Sequence, residues 1–392
     1  MKVPANAKAG ALRIKAKGTL WSLPFGLLKP STKVVSASPP TPTGTAFDGN
    51  GMWIWELWNS ERGNVANIIA KAKAHDVATV FIKSGDGDHN WSQFTKSLID
   101  QLHAGGLQVC AWPYVYGKKP AAEATQTINS IRLGADCLAI DAETEYEGRY
   151  KQALQYITAV RKAVGGSYPI SLAGYPYVDY HLSFPYSVFF GPGGVQYNQP
   201  QAYWRDIGGG VDKVMVHTYR TNLPFGKRIA PIGQLWQSPK ANEILRFRSL
   251  AAIWDSPGVS WWDWQEAPAK LWTPVGSTLQ WPPATASRPA WISISKGSRG
   301  DLALWAQMHL KAAGAKITAD GDFGAATRAA VISFQSGHGL TADGVIAERT
   351  WKALLRVPLP KPVWAASIAQ RASSPSAAAA AHRSEFHSRR FR

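Results

Sequence analysis

This chain of 392 residues has little sulfur: two cysteines, Cys110 and Cys137, and four methionines. Two cysteines cannot build the disulfide framework on which small secreted domains rely, so an apolar core must carry the fold. Both fall on neighbouring predicted strands. A single bridge is open to them, and buried free thiols are the commoner outcome for such a pair. No apolar run approaches the roughly 20 residues that span a bilayer, so no transmembrane segment is expected. The sequence also has no His-Glu-x-x-His and no His-x-His pair, which argues against a zinc peptidase. There is no Gly-x-Ser-x-Gly elbow, and Cys110 runs into Ala111-Trp112-Pro113 without the helix start that activates a thiolate. The runs Gly191-Pro192-Gly193-Gly194 and Gly208-Gly209-Gly210 lack a Lys-Ser/Thr partner and read as loops rather than phosphate cradles. Neither a metal nor a cofactor is expected.

Acidic residues are also scarce, 26 against 43 Lys and Arg, for a formal net charge of +17. The excess is concentrated at the two ends: residues 1–44 carry +7 and residues 358–392 carry +5, leaving +5 for the middle. Basic ends attract anionic envelopes or nucleic acid at long range, and they serve equally as solvated tails. No specific nucleic-acid partner is expected.

What the chain has in excess is tryptophan. Thirteen of its eighteen lie between Trp53 and Trp281. Indole fills cores, and its faces also suit the C–H faces of sugars. Short apolar strands alternate here with amphipathic helices. The strands begin at Met52, Thr79, Gln108, Leu138, Pro169, Val195, Ile229 and Val259, with helical patterns such as Val65-Ile68-Ile69-Ala72 between them. Gly105-Gly106, Gly134 and Gly165-Gly166 stop several helices. Eight such units over about 210 residues predict a (β/α)8 barrel, an α/β fold. The expected organisation is a disordered basic leader or linker at 1–46, the barrel at 47–267, a Pro/Thr-rich linker at 268–290, a small all-α module at 291–357 and a disordered basic tail at 358–392. The leader resembles a secretory signal only in outline, since Pro24, Lys29 and Lys33 interrupt it. An extracellular or cell-wall location is expected, reached by export or by phage-type release, with a monomer as the state in solution.

The module carries the most specific pattern. Gly297-Ser298-Arg299-Gly300-Asp301 precedes a helix with Ala306-Gln307 and Leu310. Asp320-Gly321-Asp322-Phe323-Gly324, Thr327, Phe334-Gln335, Asp343-Gly344-Val345 and Thr350-Trp351 follow. This order resembles the peptidoglycan-binding type 1 family, a three-helix bundle found beside wall hydrolases. The resemblance implies peptidoglycan as partner, with ligand contacts from an exposed groove near Asp322, Phe323, Thr327 and Trp351.

In the barrel, the candidate for chemistry is Cys137-Leu138-Ala139-Ile140-Asp141-Ala142-Glu143. Side chains alternate along a strand, so Asp141 and Glu143 share a side at the C-terminal end of the fourth strand, where barrel active sites lie. Two adjacent carboxylates can divide acid and charge-stabilising roles, as glycoside hydrolysis requires. The element resembles the Asp-x-Glu of the family 25 glycoside hydrolases, the muramidase-type lysozymes. That resemblance implies Glu143 as general acid and Asp141 as the group orienting the substrate's acetamido. Asp263, among Trp261, Trp262 and Trp264, is the reserve acid or base. Trp112 and Trp262 are candidate sugar-stacking rings. Tyr114, Tyr175, Gln199 and Gln234 are candidate substrate-binding residues, and Lys83 stands at another strand end. The expected function is a peptidoglycan-binding wall hydrolase that cleaves a glycosidic bond. The alternative is a non-catalytic wall-binding or structural protein, motivated by Trp53-Ile54-Trp55-Glu56, where the first strand offers no aspartate.

Overall fold

The computed structural model describes residues 10–16, 19–25, 45–277 and 286–360. Most of the expected leader, the middle of the expected 268–290 linker and the tail beyond residue 360 lie outside the described residues. The chain divides into two units, Met1–Thr43 and Gly44–Arg392. In the first, β1 (Gly10–Ala16) and β2 (Thr19–Phe25) form an antiparallel pair.

The second unit begins with a curled parallel sheet. Its strands are β3 (Gly49–Ile54), β4 (Thr79–Asp86) with the short β5 (His89–Asn90) folded back on it, and β6 (Gln108–Val115). Next come β7 (Cys137–Ala142), β8 (Ile170–Gly174), β9 (Tyr197–Pro200), β10 (Arg228–Ile229), β11 (Ile232–Gln234) and β12 (Gly258–Trp262). The spatial order β10-β9-β8-β7-β6-β4-β3-β12-β11 makes β10 and β11 the two ends of the sheet, although they are separated only by Ala230-Pro231. Proline has no N–H for a ladder, and there the chain changes partner from β9 to β12. A parallel bridge from Gln201 to Ile232, with the Ala202 N–H donating to the Ile232 carbonyl at 2.9 Å, ties the ends together. β10 and β11 are thus two halves of one position, and eight strand positions form a TIM-like barrel.

Helices α1 (Val65–Ala74), α2 (Lys96–Ala104), α3 (Pro120–Arg132) and α4 (Tyr150–Val164) alternate with the first strands. The short α5 (Tyr186–Phe189) and α6 (Trp204–Ile207), then α7 (Gly210–Asn222), α8 (Ala241–Ile253) and α9 (Trp272–Gly276), follow the later ones. Gly106 at φ 79° and Gly134 at φ 115° supply the left-handed turns just past α2 and α3, as the sequence pattern requires.

Strand alternation sorts the core into two apolar clusters. Met52, Ile54, Val80, Ile82, Leu138 and Ile140 face the helices. Trp53, Phe81, Cys110, Trp112, Cys137, Ala139 and Trp262 fill the lumen. Cys110 and Cys137 sit opposite each other on β6 and β7 and are joined as a disulfide, Cα–Cα 4.5 Å. Of the two outcomes the sequence left open, the bridge is the one formed, because the strand register places the two Cα atoms within bridging distance.

The module, α10 (Asp301–Ala312), α11 (Ala325–Gly337) and α12 (Glu348–Leu354), packs against the barrel. The Asp301 carboxylate is buried at the junction. It accepts from the Tyr150 hydroxyl at 2.8 Å, the Ser187 N–H at 2.6 Å and the Ser187 hydroxyl at 2.7 Å. The Trp305 indole N–H donates to the Pro224 carbonyl at 2.8 Å. Burial pushes the Asp301 carboxyl up to about 7, against the lowering effect of those hydrogen bonds.

Candidate active site

β7 delivers Cys137, Ala139, Asp141 and then Glu143 to the lumen side in successive steps of two. The first pair lies in the apolar layer and the second at the C-terminal mouth. Asp141 accepts from the Trp112 indole N–H at 2.9 Å through Oδ2 and from the Gln201 amide at 3.3 Å through Oδ1. The same Gln201 amide nitrogen donates to Glu143 Oε1 at 3.0 Å. One side chain therefore holds both carboxylates. The pair is deeply set, Asp141 1% and Glu143 4% exposed.

Gln201 was not among the candidates from sequence. The signal was available: it follows Gln199 by two residues, so alternation along β9 sends both to the lumen, with Gln201 one layer nearer the mouth. Gln199, by contrast, lies inside the barrel, accepting from the Ser171 hydroxyl at 2.6 Å and donating to Ser260 Oγ at 3.5 Å. Gln234 accepts from the Arg205 N–H at 2.6 Å and donates to the Trp236 carbonyl. Both side chains are fully buried, their amides engaged in these contacts within the barrel.

Trp112 is likewise buried. Its ring stands edge-on between Trp53 and Trp262, at 5.2 and 4.9 Å, with 1% of its surface exposed, and no face is open to stack on a sugar. Its contribution is the N–H that orients Asp141. Trp262 is 6% exposed and 6.4 Å from the half-buried Trp55. Asp263 follows β12, on the opposite side of the ring from β7. It is fully buried and accepts from the Glu266 N–H at 3.2 Å.

The tyrosines close around the acids. The Tyr114 hydroxyl donates to Glu145 at 2.7 Å, and burial together with the charges of Glu143, Glu145 and Asp141 pushes its pKa well above the ordinary value. Tyr175 contacts the Thr144 hydroxyl and stacks on His181 at 3.4 Å. Burial, and next the charge of Glu143, raises it too. Both phenols are thereby held in their protonated form beside the acids. Lys83, 3.1 Å from Asp86, lies over the rings of Trp91, Trp112 and Tyr114 at 4.9, 5.2 and 5.6 Å. Glu123 anchors the loop after β6 by accepting four backbone N–H groups, those of Tyr116, Gly117, Lys118 and Lys119. Among the described residues, no group of three or more His, Cys, Asp or Glu side chains is arranged to hold a metal ion.

In the module, the expected groove residues are mostly core. Phe323 and Trp351 are fully buried, and the Trp351 indole donates to the Ile292 carbonyl at 2.9 Å. Thr327, 3% exposed, accepts from Gln307 at 3.0 Å, and Asp322 is left at the surface 3.6 Å from Arg299. The apolar bulk of Phe323 and Trp351 packs the three short helices together. The open cavity, of about 650 Å³, lies instead between α11 and α12, where Leu340, Asp343, Glu348, Thr350 and Lys352 contribute to its wall. The module also repeats one device. Gln307 donates to Asp320, the Asp322 carbonyl and Thr327, and accepts from the N–H groups of Asp320 and Gly321. Gln335 donates to Asp343, the Val345 carbonyl and Thr350, and accepts from the Gly344 N–H.

Among known proteins, the chain is 34% identical over 95 residues to the zinc D-Ala-D-Ala carboxypeptidase of Streptomyces albus G, covering 21% of this chain and 37% of that one. It thus spans little more than a third of that relative's length. Among solved structures, a Burkholderia AP3 phage endolysin shares 43% identity over 16% of this chain and 24% of its own, with a TM-score of 0.16. A GH18 chitinase from Pseudoalteromonas aurantia shares 13% identity over 57% and 97%, with a TM-score of 0.43. Residues 299–354 match the family described as "Putative peptidoglycan binding domain", and this stretch of the chain is a module of that family.

Proposed function

We propose that this protein is a cell-wall hydrolase that cleaves a glycosidic bond of peptidoglycan, with the 299–354 module holding it on the wall. The observation that carries the reading is the Asp141–Glu143 pair, held by one amide at the mouth of a barrel joined to a peptidoglycan-binding module. Glu143 is the general acid toward the leaving-group oxygen. Asp141, fixed by Trp112 and Gln201, stabilises the positive charge that develops, either directly or by orienting the substrate's acetamido group as the muramidase resemblance implies. Two carboxyl groups close enough to share one amide nitrogen suit a retaining enzyme better than an inverting one, whose carboxyl groups stand roughly 6.5–9.5 Å apart, so retention is the expected outcome. The module raises the local concentration of substrate without changing the chemical barrier.

Incubation of the purified protein with insoluble peptidoglycan, beside Glu143→Gln, tests the reading. New reducing ends should appear with the parent alone. Equal release from both would remove Glu143 from the mechanism.

A second reading, that the chain binds the wall without cleaving it, is favoured by one observation: Asp141 and Glu143 expose only 1% and 4% of their surface. Retention of the protein on peptidoglycan with no released ends over any incubation would support it.

A further inference from the structure

The mouth of the barrel carries a second feature that the carboxylate pair does not use. Beyond β3 the chain turns through Glu56 to Gly63, and beyond β5 it passes through Trp91, Ser92 and Gln93. Between these two loops lies a cavity of about 550 Å³, within the size range of small-ligand sites. Trp58 lines it with 74% of its surface exposed, the largest exposure among the big apolar side chains described. A single exposed indole is ordinary. This one, however, shares a cavity with a second indole, Trp91, and with the charged groups of Glu56 and Arg62.

The walls are fixed. Gln93 accepts from the Leu57 N–H at 2.7 Å and donates to the Trp55 carbonyl at 2.7 Å and the Lys83 carbonyl at 3.3 Å, stitching the two loops together. The Gln265 side chain accepts from the Glu56 N–H at 2.8 Å. Arg62 has its backbone in the left-handed region, φ 55° and ψ 32°, which persists where the surroundings over-determine it. Its neighbour Glu61 is occupied by Lys71 at 2.5 Å and by the Trp264 indole at 3.2 Å. Among the described residues, Arg62 has no acidic side chain within ion-pairing distance, so the one guanidinium of the cavity is open to an incoming anion. Lys83 joins this cavity to the carboxylate site, since it lies over Trp91 and over Trp112, the ring that donates to Asp141.

We propose that this cavity is a saccharide subsite that takes an acidic sugar of the glycan strand, a pyranose ring bearing a carboxylate, away from the bond that is cut. Trp58 and Trp91 present faces to the ring, Arg62 takes the carboxylate and Glu56 accepts from a hydroxyl or amide. The inference rests on the glycan-hydrolase reading for its substrate class, and its test separates the two.

The experiment titrates full-length Glu143→Gln protein, which does not consume the ligand, with soluble peptide-free glycan strands of peptidoglycan, followed by tryptophan fluorescence and calorimetry. Neutral N-acetylglucosamine oligomers serve as the second probe. Adding Trp58→Ala should weaken binding of the strands tenfold or more, and adding Arg62→Ala should weaken the acidic strands while leaving the neutral oligomers unchanged. Unaltered affinity in both double variants, or no binding of the strands to Glu143→Gln itself, would overturn the subsite. Reducing-end release by the protein with native Glu143, measured alongside, reports on catalysis independently. Release with unchanged KM in Trp58→Ala sinks the subsite and spares the hydrolase. Loss of strand binding in Trp58→Ala without any release from the parent does the reverse.

Discussion

The barrel mouth and the module both use a buried glutamine amide, and they use it for opposite ends. In the module, Gln307 and Gln335 each gather an Asp-Gly turn and a threonine, matching every donor to an acceptor, so the polar groups end as structure. In the barrel, Gln201 gives one nitrogen to two carboxylates. Two carboxyl groups drawn together by one donor cost more as architecture than a matched network does, and on the proposed reading they are the reacting pair. A satisfied amide network marks a scaffold, and an amide that concentrates charge marks a site.

The sharpest way to break this contrast is Glu143→Gln, which should lower glycan cleavage by about 10²–10⁴-fold, the usual worth of general acid–base catalysis, with an unchanged melting temperature. Next in size is the lumen disulfide. Opening Cys110–Cys137 by Cys137→Ser should cost roughly 2–4 kcal/mol in denaturant unfolding, because the bridge closes a loop of 27 residues. In the module, Gln335→Ala should cost about 1–3 kcal/mol by leaving the Gly344 N–H and the Thr350 hydroxyl without their partner. Unfolding that matches the parent would mean the amide is not structural there.

The smallest effect concerns the junction between them. The Asp301 carboxyl is raised from 3.8 to about 7 by burial, so the folded state holds its proton more tightly than the unfolded one. Its stabilising contribution is full below the unfolded value near 4 and is lost as pH rises through 7. Melting temperatures measured from pH 5 to 8 should therefore decline, and Asp301→Asn should flatten that decline. An identical slope in the two proteins would show that Asp301 does not govern the junction.

How much of this was legible depended on the kind of signal. The eight strand positions could be read because parallel barrel strands are continuous apolar runs punctuated by glycine. The Asp141–Glu143 pair was legible from period-two alternation alone. The roles of Trp112, Gln199 and Gln234 were not, because alternation says which side chains enter the lumen and not how deep they stop. Trp112, one strand from Asp141, ends as its hydrogen-bond donor rather than as a stacking surface. The same limit applied to the module, where Phe323 and Trp351 lie beside turn residues yet point into the core. The Trp58 cavity was invisible for a different reason, since it is assembled from two loops that Gln93 brings together.

Mass analysis of peptidoglycan digested by the parent protein and by Glu143→Gln tests the central claim most directly. The account predicts glycan fragments ending in a new reducing sugar of retained anomeric configuration, present with the parent and absent with the variant. Fragments cut only in the peptide stems, or glycan ends appearing equally with both proteins, would contradict it.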